Sequence, residues 1–172
     1  MVVYCLFCET AKCVSVLAQA RHAFQDRGWI TGYSPRQIQR VWKHGKVVNQ
    51  VRQFLPGYIF LYFEEPFADM QPLRALAGVI RVLHDANNVY ELSGADLSFA
   101  EMVREKDGCL EKTQVYREGD RICIQQGAFN SLDVKILKVN RRNHTMMIQI
   151  PLAGEWVKAW IQYEEDERKE SI

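Results

Sequence analysis

The strongest indication of the fold is the sequence Phe54-Leu55-Pro56-Gly57-Tyr58-Ile59-Phe60-Leu61-Tyr62-Phe63. Its Pro-Gly pair interrupts the chain and opens a strand, because proline removes a backbone donor and glycine admits turn conformations. Successive side chains of a strand point to opposite faces, so residues 58–63 place apolar side chains on both faces. A sheet covered on one side needs only one apolar face. We therefore expect the second face to meet a packed helix or a partner protein.

Strands and helices alternate around this aromatic strand. The predicted strands are 2–7, 29–33 and 79–83, and the predicted helices run from Thr10 to about Arg27, from Pro66 to about Gly78, and from Ser93 to Lys106. The first helix carries Val14, Leu17 and Phe24 at helical spacing, and Pro72 gives the second a kink or a late start. A hairpin over residues 37–54 turns at His44-Gly45-Lys46. This order predicts an α+β fold that begins with an α/β sandwich, an antiparallel sheet with helices, over residues 1–107.

An all-strand unit follows Asp107-Gly108. Residues 108–118 are predicted to be a polar linker. The predicted strands beyond it are 121–125, 134–139, 145–150 and 155–163. Short strands at spacings near ten residues, with Gly, Asn and Pro between them, are typical of a small β-barrel. We assign the barrel to residues 119–164 and an acidic tail to residues 165–172.

Composition favours a soluble protein without a cofactor. The 172 residues suffice for one ordinary domain or two small ones, and the content of 48% hydrophobic and 25% charged residues is typical of globular chains. No apolar run approaches the roughly 20 residues that span a bilayer, so we expect a cytoplasmic monomer without membrane contact. No P-loop, nucleophile elbow, HExxH or dinucleotide-binding glycine pattern is present, which argues against an enzyme.

The five cysteines fit buried thiols better than a metal site. An odd number leaves one unpaired in any disulfide scheme, and a chain of this size does not need disulfides. Cys5 and Cys8 form a CxxC, but a strand would send their side chains to opposite faces. No second CxxC or HxxxH follows, so we expect no metal.

Basic residues are concentrated in one segment. From Lys12 to Arg52 there are eight basic residues and one acid, Asp26. A cluster of basic residues of this kind is typical of a surface that binds a polyanion. The alternative explanation is that these side chains form a solvated face without a partner. The candidate nucleic-acid-binding residues are Arg36, Arg40, Lys43, Lys46 and Arg52.

The aromatic strand and its Phe-Leu-Pro-Gly-Tyr opening resemble the FPGY segment of the NusG family of transcription elongation factors. The segment Val3-Tyr4-Cys5-Leu6-Phe7 is similar to the family's first strand, with Val3 in place of the usual tryptophan. In that family this surface grips RNA polymerase. The resemblance implies that Phe7, Phe54, Leu55 and Tyr58 bind the polymerase clamp helices, and core packing is the alternative explanation.

The C-terminal unit resembles the KOW domain that ends NusG proteins. Residues 119–121, 127–129 and 138–142 follow the family's order, while Val134 stands where a glycine is common, so the local turn should differ. The resemblance implies a partner-binding surface with Phe129 and Trp160. Trp160 falls where NusG has an aromatic that touches Rho or a ribosomal small-subunit protein, although a core position is also open.

Within the family, residues 35–47 are similar to the LoaP group of antiterminators, which are related to RfaH. The resemblance implies an antitermination and elongation factor that binds the clamp helices, suppresses pausing and termination on specific operons, and is recruited by an RNA or DNA leader element. RfaH reaches the polymerase gate loop through a polar triplet with His and Thr side chains. In this chain Asp69-Met70-Gln71 stands at that place without them. The alternatives are a housekeeping NusG that couples polymerase to Rho or the ribosome, and a KOW-containing RNA- or ribosome-binding protein.

The C-terminal unit is expected to consist of strands in the free protein, without the helical hairpin of RfaH. Gly127, Pro151 and Gly154 interrupt any helical periodicity there, and β-branched residues alternate with polar ones.

Overall fold

The computed structural model of the chain describes residues 1–129 and 131–166. Its strands are Val2–Cys8 (β1), Trp29–Tyr33 (β2), Arg36–Lys43 (β3), Lys46–Gln53 (β4), Tyr58–Phe63 (β5), Val79–Val82 (β6), Cys109–Leu110 (β7), Thr113–Glu118 (β8), Arg121–Gln126 (β9), Lys135–Asn140 (β10), Thr145–Leu152 (β11) and Glu155–Glu165 (β12). Its helices are Cys13–Ala23 (α1), Gln71–Arg74 (α2) and Gly94–Glu105 (α3), and a 3-10 turn at Thr10–Lys12 precedes the first. The fold is mixed α+β and consists mainly of sheet.

The aromatic strand β5 lies inside an antiparallel sheet of order β2-β5-β1-β6, here named the central sheet. One face, with Ile59 and Leu61, packs against α1 and α2. The other face, with Phe60 and Tyr62, packs against α3 and the C-terminal strands. The expectation that both faces of β5 are covered is confirmed, and the second cover comes from this chain itself.

Helix α1 buries only part of the predicted stripe: Phe24 is buried and Leu17 packs against the core, but Val14 does not. Its buried residues are Cys13, Val16 and Ala20, with Phe24 directly after the helix, while Val14 is 78% exposed. The observed positions, like the predicted ones, recur every three or four residues. The prediction weighted the large apolar Val14, but the helix faces the sheet with the small side chains of Cys13 and Ala20.

Helix α2 spans only Gln71–Arg74, so the prediction of a helix from Pro66 to about Gly78 is wrong over most of its length. Its late start agrees with Pro72, because a proline in the first turn loses no intrahelical hydrogen bond. Helix α3 follows Ser93 at its N-cap position and ends within a residue of its prediction.

Strands β3 and β4 form the predicted hairpin. Lys43 pairs with Lys46, and the two residues between them, His44 and Gly45, have positive φ angles of 50° and 74°. Positive φ angles at both central residues are typical of the type I′ turn, whose backbone twist matches that of the two strands it joins. At its base, β3 also pairs in parallel with the short strand β7.

The C-terminal strands form a five-stranded sheet of order β10-β11-β12-β8-β9, here named the C-terminal sheet. All four strands predicted there are present, and no helix lies between residues 106 and 166 in the part that the structure describes. Residues 108–118, predicted to be a polar linker, instead contain β7 and β8. Thr113 and Val115 of β8 are buried between polar neighbours, and β8 pairs with both β9 and β12. Of the predicted acidic tail, Glu165 ends β12, and residues 167–172 lie outside the described residues.

One buried cluster continues from the central sheet into the C-terminal sheet. It contains Val3 and Phe60 of the central sheet, Met146 and Ile148 of the C-terminal sheet, and Phe129 from the segment between β9 and β10. The core therefore has no break at the predicted boundary, and the division into two domains stays a prediction. Within the described residues, every helix is too short or too polar to cross a membrane.

Candidate functional site

Two aromatic side chains of the predicted polymerase-binding surface are partly accessible to solvent. Phe7 of β1 and Tyr58 of β5 are paired residues of the antiparallel ladder, and their ring centroids lie 4.9 Å apart. Both are half-buried. Gly57, at φ 91°, makes room for them, because a Cβ there would lie 2.7 Å from the Phe7 ring. The Pro-Gly opening thus positions the aromatic pair as well as starting the strand.

Arg81 links this pair to the C-terminal sheet. Its guanidinium carbon lies 5.2 Å from the centroid of the Phe7 ring, and it forms an ion pair with Glu155 at the start of β12. Burial, and next the Glu155 carboxylate, raise the pKa of the Tyr58 hydroxyl, while Arg81 opposes this shift. The Tyr58 hydroxyl therefore remains a neutral hydrogen-bonding group at physiological pH.

Phe54 and Leu55, the other two predicted polymerase-binding residues, are buried. The ring of Phe54 meets that of Phe129 edge to face at 5.8 Å, and Phe129 stacks on Phe99 of α3 at 5.7 Å. Phe129 was predicted to bind an outside partner, but it is only 2% exposed and its contacts are with this chain. Two of the four predicted polymerase-binding residues are thus buried, and Phe54 packs against Phe129 of the segment between β9 and β10.

A tight turn between β11 and β12 completes this cover. The Ala153 N–H donates a hydrogen bond to Asp96 Oδ2 at 3.0 Å, and Gly154 lies against the backbone of His84 and Asp85. A Cβ on Gly154 would lie 2.8 Å from the His84 carbonyl oxygen, so the close approach requires glycine. Burial raises the pKa of the Asp96 carboxyl, and the Ala153 hydrogen bond offsets part of this shift.

The five basic candidates of the hairpin are all exposed and lie in two rows. Directly paired residues share a face, and Gln37 pairs with Arg52 while Lys43 pairs with Lys46. The rows are Lys43, Lys46 and Arg52 on one face, and Arg36 and Arg40 on the other. The structure therefore does not bring the five cations together on one surface.

The base of the hairpin is joined to β12 through buried amides. Gln37 Nε2 donates to the carbonyls of Glu111 and Gln162 at 3.0 and 3.2 Å, and the Gln162 N–H donates to Gln37 Oε1 at 2.8 Å. Gln37 and Gln162 are fully buried. Because the Gln37 amide is paired on both sides, this contact fixes the orientation of the hairpin relative to the C-terminal sheet.

Trp42 is a candidate functional residue that the sequence analysis did not single out. It is 61% exposed and lies two positions beyond Arg40, on the same face of β3. It lines an open cleft together with Asn140, Arg142 and Asn143 of the β10–β11 turn. The sequence could have indicated Trp42, because every second residue of a strand shares a face and Trp42 follows Arg36, Ile38 and Arg40 in that alternation.

Trp160 points outward from the C-terminal sheet. It is 41% exposed, whereas Val157, Ala159 and Ile161 of the same strand are buried. The sequence left an outward and a core position open for Trp160, and the structure shows the outward one. Its role in partner binding stays a prediction.

The cysteines are thiols, and Cys5 and Cys8 lie on opposite faces of β1, as predicted. Burial raises the pKa of Cys8 to about 12, and that of Cys5 well above its usual value. Among the described residues, no group of three His, Cys, Asp or Glu side chains is placed to hold a metal ion.

The arrangement of the sheets is similar to that of a solved protein. No family model matches the chain, and no curated protein resembles it closely enough in sequence to count as a match. A solved structure of NusG from Thermotoga maritima, from a study of domain interaction in that protein, superimposes with a TM-score of 0.54. The alignment covers 94% of this chain and 93% of that one, at 12% sequence identity. The fold is that of NusG. At this identity the similarity concerns the NusG fold alone and does not extend to the LoaP group.

Proposed function

We propose that this chain is a transcription elongation and antitermination factor of the NusG type. It binds the clamp helices of RNA polymerase through Phe7, Phe54, Leu55 and Tyr58, and it suppresses pausing and termination. The C-terminal sheet is its KOW barrel. The basic hairpin β3–β4 binds the RNA or DNA element that recruits the factor to specific operons, as in the LoaP group.

The observation that carries the proposal is the half-buried aromatic pair of Phe7 and Tyr58 on a sheet with the NusG fold. Clustered aromatic side chains are typical anchors of protein interfaces. Phe54 and Leu55 continue this apolar surface on the chain segment directly before β5. The pair therefore forms the accessible end of a larger apolar surface.

Binding through the whole surface requires the C-terminal sheet to move, because Phe129 covers Phe54. The rim of the contact is polar and partly exposed: Arg81 and Glu155 form an ion pair, and Asp96 accepts one backbone hydrogen bond. Exposed ion pairs contribute about 0–1 kcal/mol, and two-pronged pairs such as this one lie toward the upper end. The buried Gln37–Gln162 amide pair must also separate when the sheet moves. We propose that the described structure is a closed form and that polymerase binds an open form.

The outward Trp160 favours a second candidate, a housekeeping NusG whose C-terminal sheet binds Rho or a ribosomal protein. Arg36 and Arg40, which share the face of Trp42, favour the specialised factor instead, because an exposed aromatic beside cations is typical of a nucleic-acid-binding surface. A termination assay on the leader of the target operon separates the two. The specialised factor increases read-through on that leader only, whereas the housekeeping one acts on unrelated templates too.

The test of polymerase binding uses the full chain and a fragment that carries the polymerase clamp helices. We expect wild type to bind, Tyr58→Ala to lose binding, and Trp156→Ala, which removes an exposed aromatic elsewhere, to bind as wild type does. Glu155→Arg removes the ion pair with Arg81 and should favour the open form. It therefore tests binding even if the wild-type protein stays closed. If neither wild type nor Glu155→Arg binds the fragment, the proposed function is wrong.

A further inference from the structure

The hairpin and the C-terminal sheet together form a cleft that neither makes alone. Trp42 of β3 supplies one wall, and Asn140, Arg142 and Asn143 of the β10–β11 turn supply the other. The cleft has a volume of about 400 Å³ and is open to solvent. An exposed indole, a guanidinium and two amides are thus brought together from positions about 100 residues apart in the sequence.

A buried side chain fixes the two walls relative to each other. Gln162 Oε1 accepts the N–H of Arg40 at 2.9 Å, and Gln162 Nε2 donates to the carbonyls of Asn143 and His144 at 2.9 and 2.8 Å. Gln162 is fully buried, and its amide is paired on both sides. A satisfied buried network of this kind holds one geometry, so the position of Trp42 relative to the turn is built into the fold.

The turn is also closed internally. The Asn143 N–H donates to Asn140 Oδ1 at 3.1 Å, and the Arg141 guanidinium donates to the Asp120 carbonyl at 3.4 Å. The wall opposite Trp42 is therefore a defined turn. Arg142 and Asn143 are exposed and Asn140 is half-buried, while the backbone of the turn is fixed.

The charge around the cleft is positive. Arg40 precedes Trp42 on the same face, and Arg141 and Arg142 lie in the turn. Glu164 is the acid that interacts with Arg40, but its carboxylate is held by Lys112 at 3.0 Å, and this hydrogen bond leads the causes that lower its pKa. Glu164 stays ionised, but Lys112 balances its charge, so the arginines around the cleft can attract an anion.

We infer that this cleft binds an unstacked base of a single-stranded nucleic acid. The base stacks on the Trp42 indole, Arg142 pairs with a neighbouring phosphate, and the amides of Asn140 and Asn143 bond to the base edge. This inference rests on the proposed nucleic-acid role of the hairpin and adds the strandedness of its ligand. Bases inside a duplex hide their faces, whereas single strands offer them to aromatic side chains.

The site belongs to the closed form of the protein. The cleft is complete only while the C-terminal sheet lies against the hairpin, so binding of the strand and docking of the sheet stabilise each other. The base site therefore acts before the surface around Phe54 and Tyr58 is uncovered.

The test measures fluorescence anisotropy of labelled oligonucleotides of about 12 nucleotides, within the usual site sizes for single strands. DNA and RNA single strands of one sequence identify the preferred sugar, and a duplex of that sequence is the third ligand. We expect both or one of the single strands to bind roughly tenfold or more tightly than the duplex. Binding of the duplex as tight as that of the single strands would overturn the inference.

Three variants localise the site. Trp42→Ala should weaken single-strand binding roughly tenfold or more, as expected for loss of a stacked base, and Trp156→Ala should leave it unchanged. Arg142→Gln should lower the slope of log affinity against log salt by about 0.7.

Two results would contradict the inference. Wild-type affinity in Trp42→Ala would remove the base site, and an unchanged salt slope in Arg142→Gln would remove the phosphate contact. Clamp-fragment binding by the same variants separates this outcome from the proposed function, because it should remain at the wild-type level. Circular dichroism confirms that each variant is folded.

Discussion

Arg81 and Glu155 form a two-pronged ion pair across the contact between β6 and the C-terminal sheet, with N–O distances of 2.6 and 2.8 Å. The same guanidinium lies over the ring of Phe7. Arg81 thus joins the aromatic pair of the proposed polymerase surface to the sheet that covers the rest of it. A change at this single pair should shift the balance between closed and open forms.

Glu155→Arg should increase affinity for the clamp-helix fragment. It places a like charge beside Arg81 and removes a contact that is partly exposed, so we expect a gain of up to about fivefold, equivalent to about 1 kcal/mol. Isothermal titration of the full chain measures this gain. Glu118→Arg makes the same charge change at the end of β8 and should have no effect. An unchanged affinity in Glu155→Arg would mean that the cover does not limit binding.

Tyr58→Ala and Phe54→Ala should fail in different ways. Tyr58 is half-buried, so its loss should weaken clamp binding by tenfold or more while the fold is retained. Phe54 is buried against Phe129, and large-to-small changes at such aromatic positions cost about 3–5 kcal/mol of unfolding free energy. Urea unfolding and clamp binding, measured on both variants, distinguish these outcomes. If Tyr58→Ala unfolds as readily as Phe54→Ala, Tyr58 is a core residue and its interface role is wrong.

The local parts of this fold could be predicted from the sequence because they depend on short spacings. The two-residue period of residues 58–63 required two apolar covers, and the structure supplies both. The turn at His44-Gly45 follows from residues that accept positive φ. The alternation in β12 separated its two faces but left open which of them holds Trp160, and the structure places it outward.

The parts that could not be predicted depend on contacts between distant segments. Phe129 and Phe54 are both apolar, but no local pattern says that they contact each other across 75 positions of sequence. Thr113 to Glu118 is polar enough to suggest a linker, and it becomes a strand because β12 and β9 offer it edges on both sides. Gln162 belongs to the outward set of β12, yet the hairpin covers it and makes it a buried amide.

Asp96→Asn should stabilise the protein near neutral pH. Burial raises the folded-state pKa of Asp96 above that of the unfolded chain, about 3.9, so the folded state binds the proton more tightly. Wild-type stability should therefore fall as pH rises through this window. Asparagine keeps an acceptor for the Ala153 N–H without the charge. Urea unfolding at about pH 4 and about pH 7 should show an advantage of the variant that grows with pH, and a less stable variant at pH 7 would refute it.

The two basic rows of the hairpin can be separated by matched substitutions. One variant combines Arg36→Gln with Arg40→Gln, and the other combines Lys43→Gln with Lys46→Gln, so both lose the same charge. We expect the first to lose more affinity for single strands and to lower the salt slope by about 1.4, because its residues share the face of Trp42. Clamp-fragment binding should survive in both, since Phe7 and Tyr58 lie on another sheet. Equal losses would mean that the strand contacts both faces, and wild-type affinity in both variants would leave the cations as a solvated surface without a nucleic-acid role.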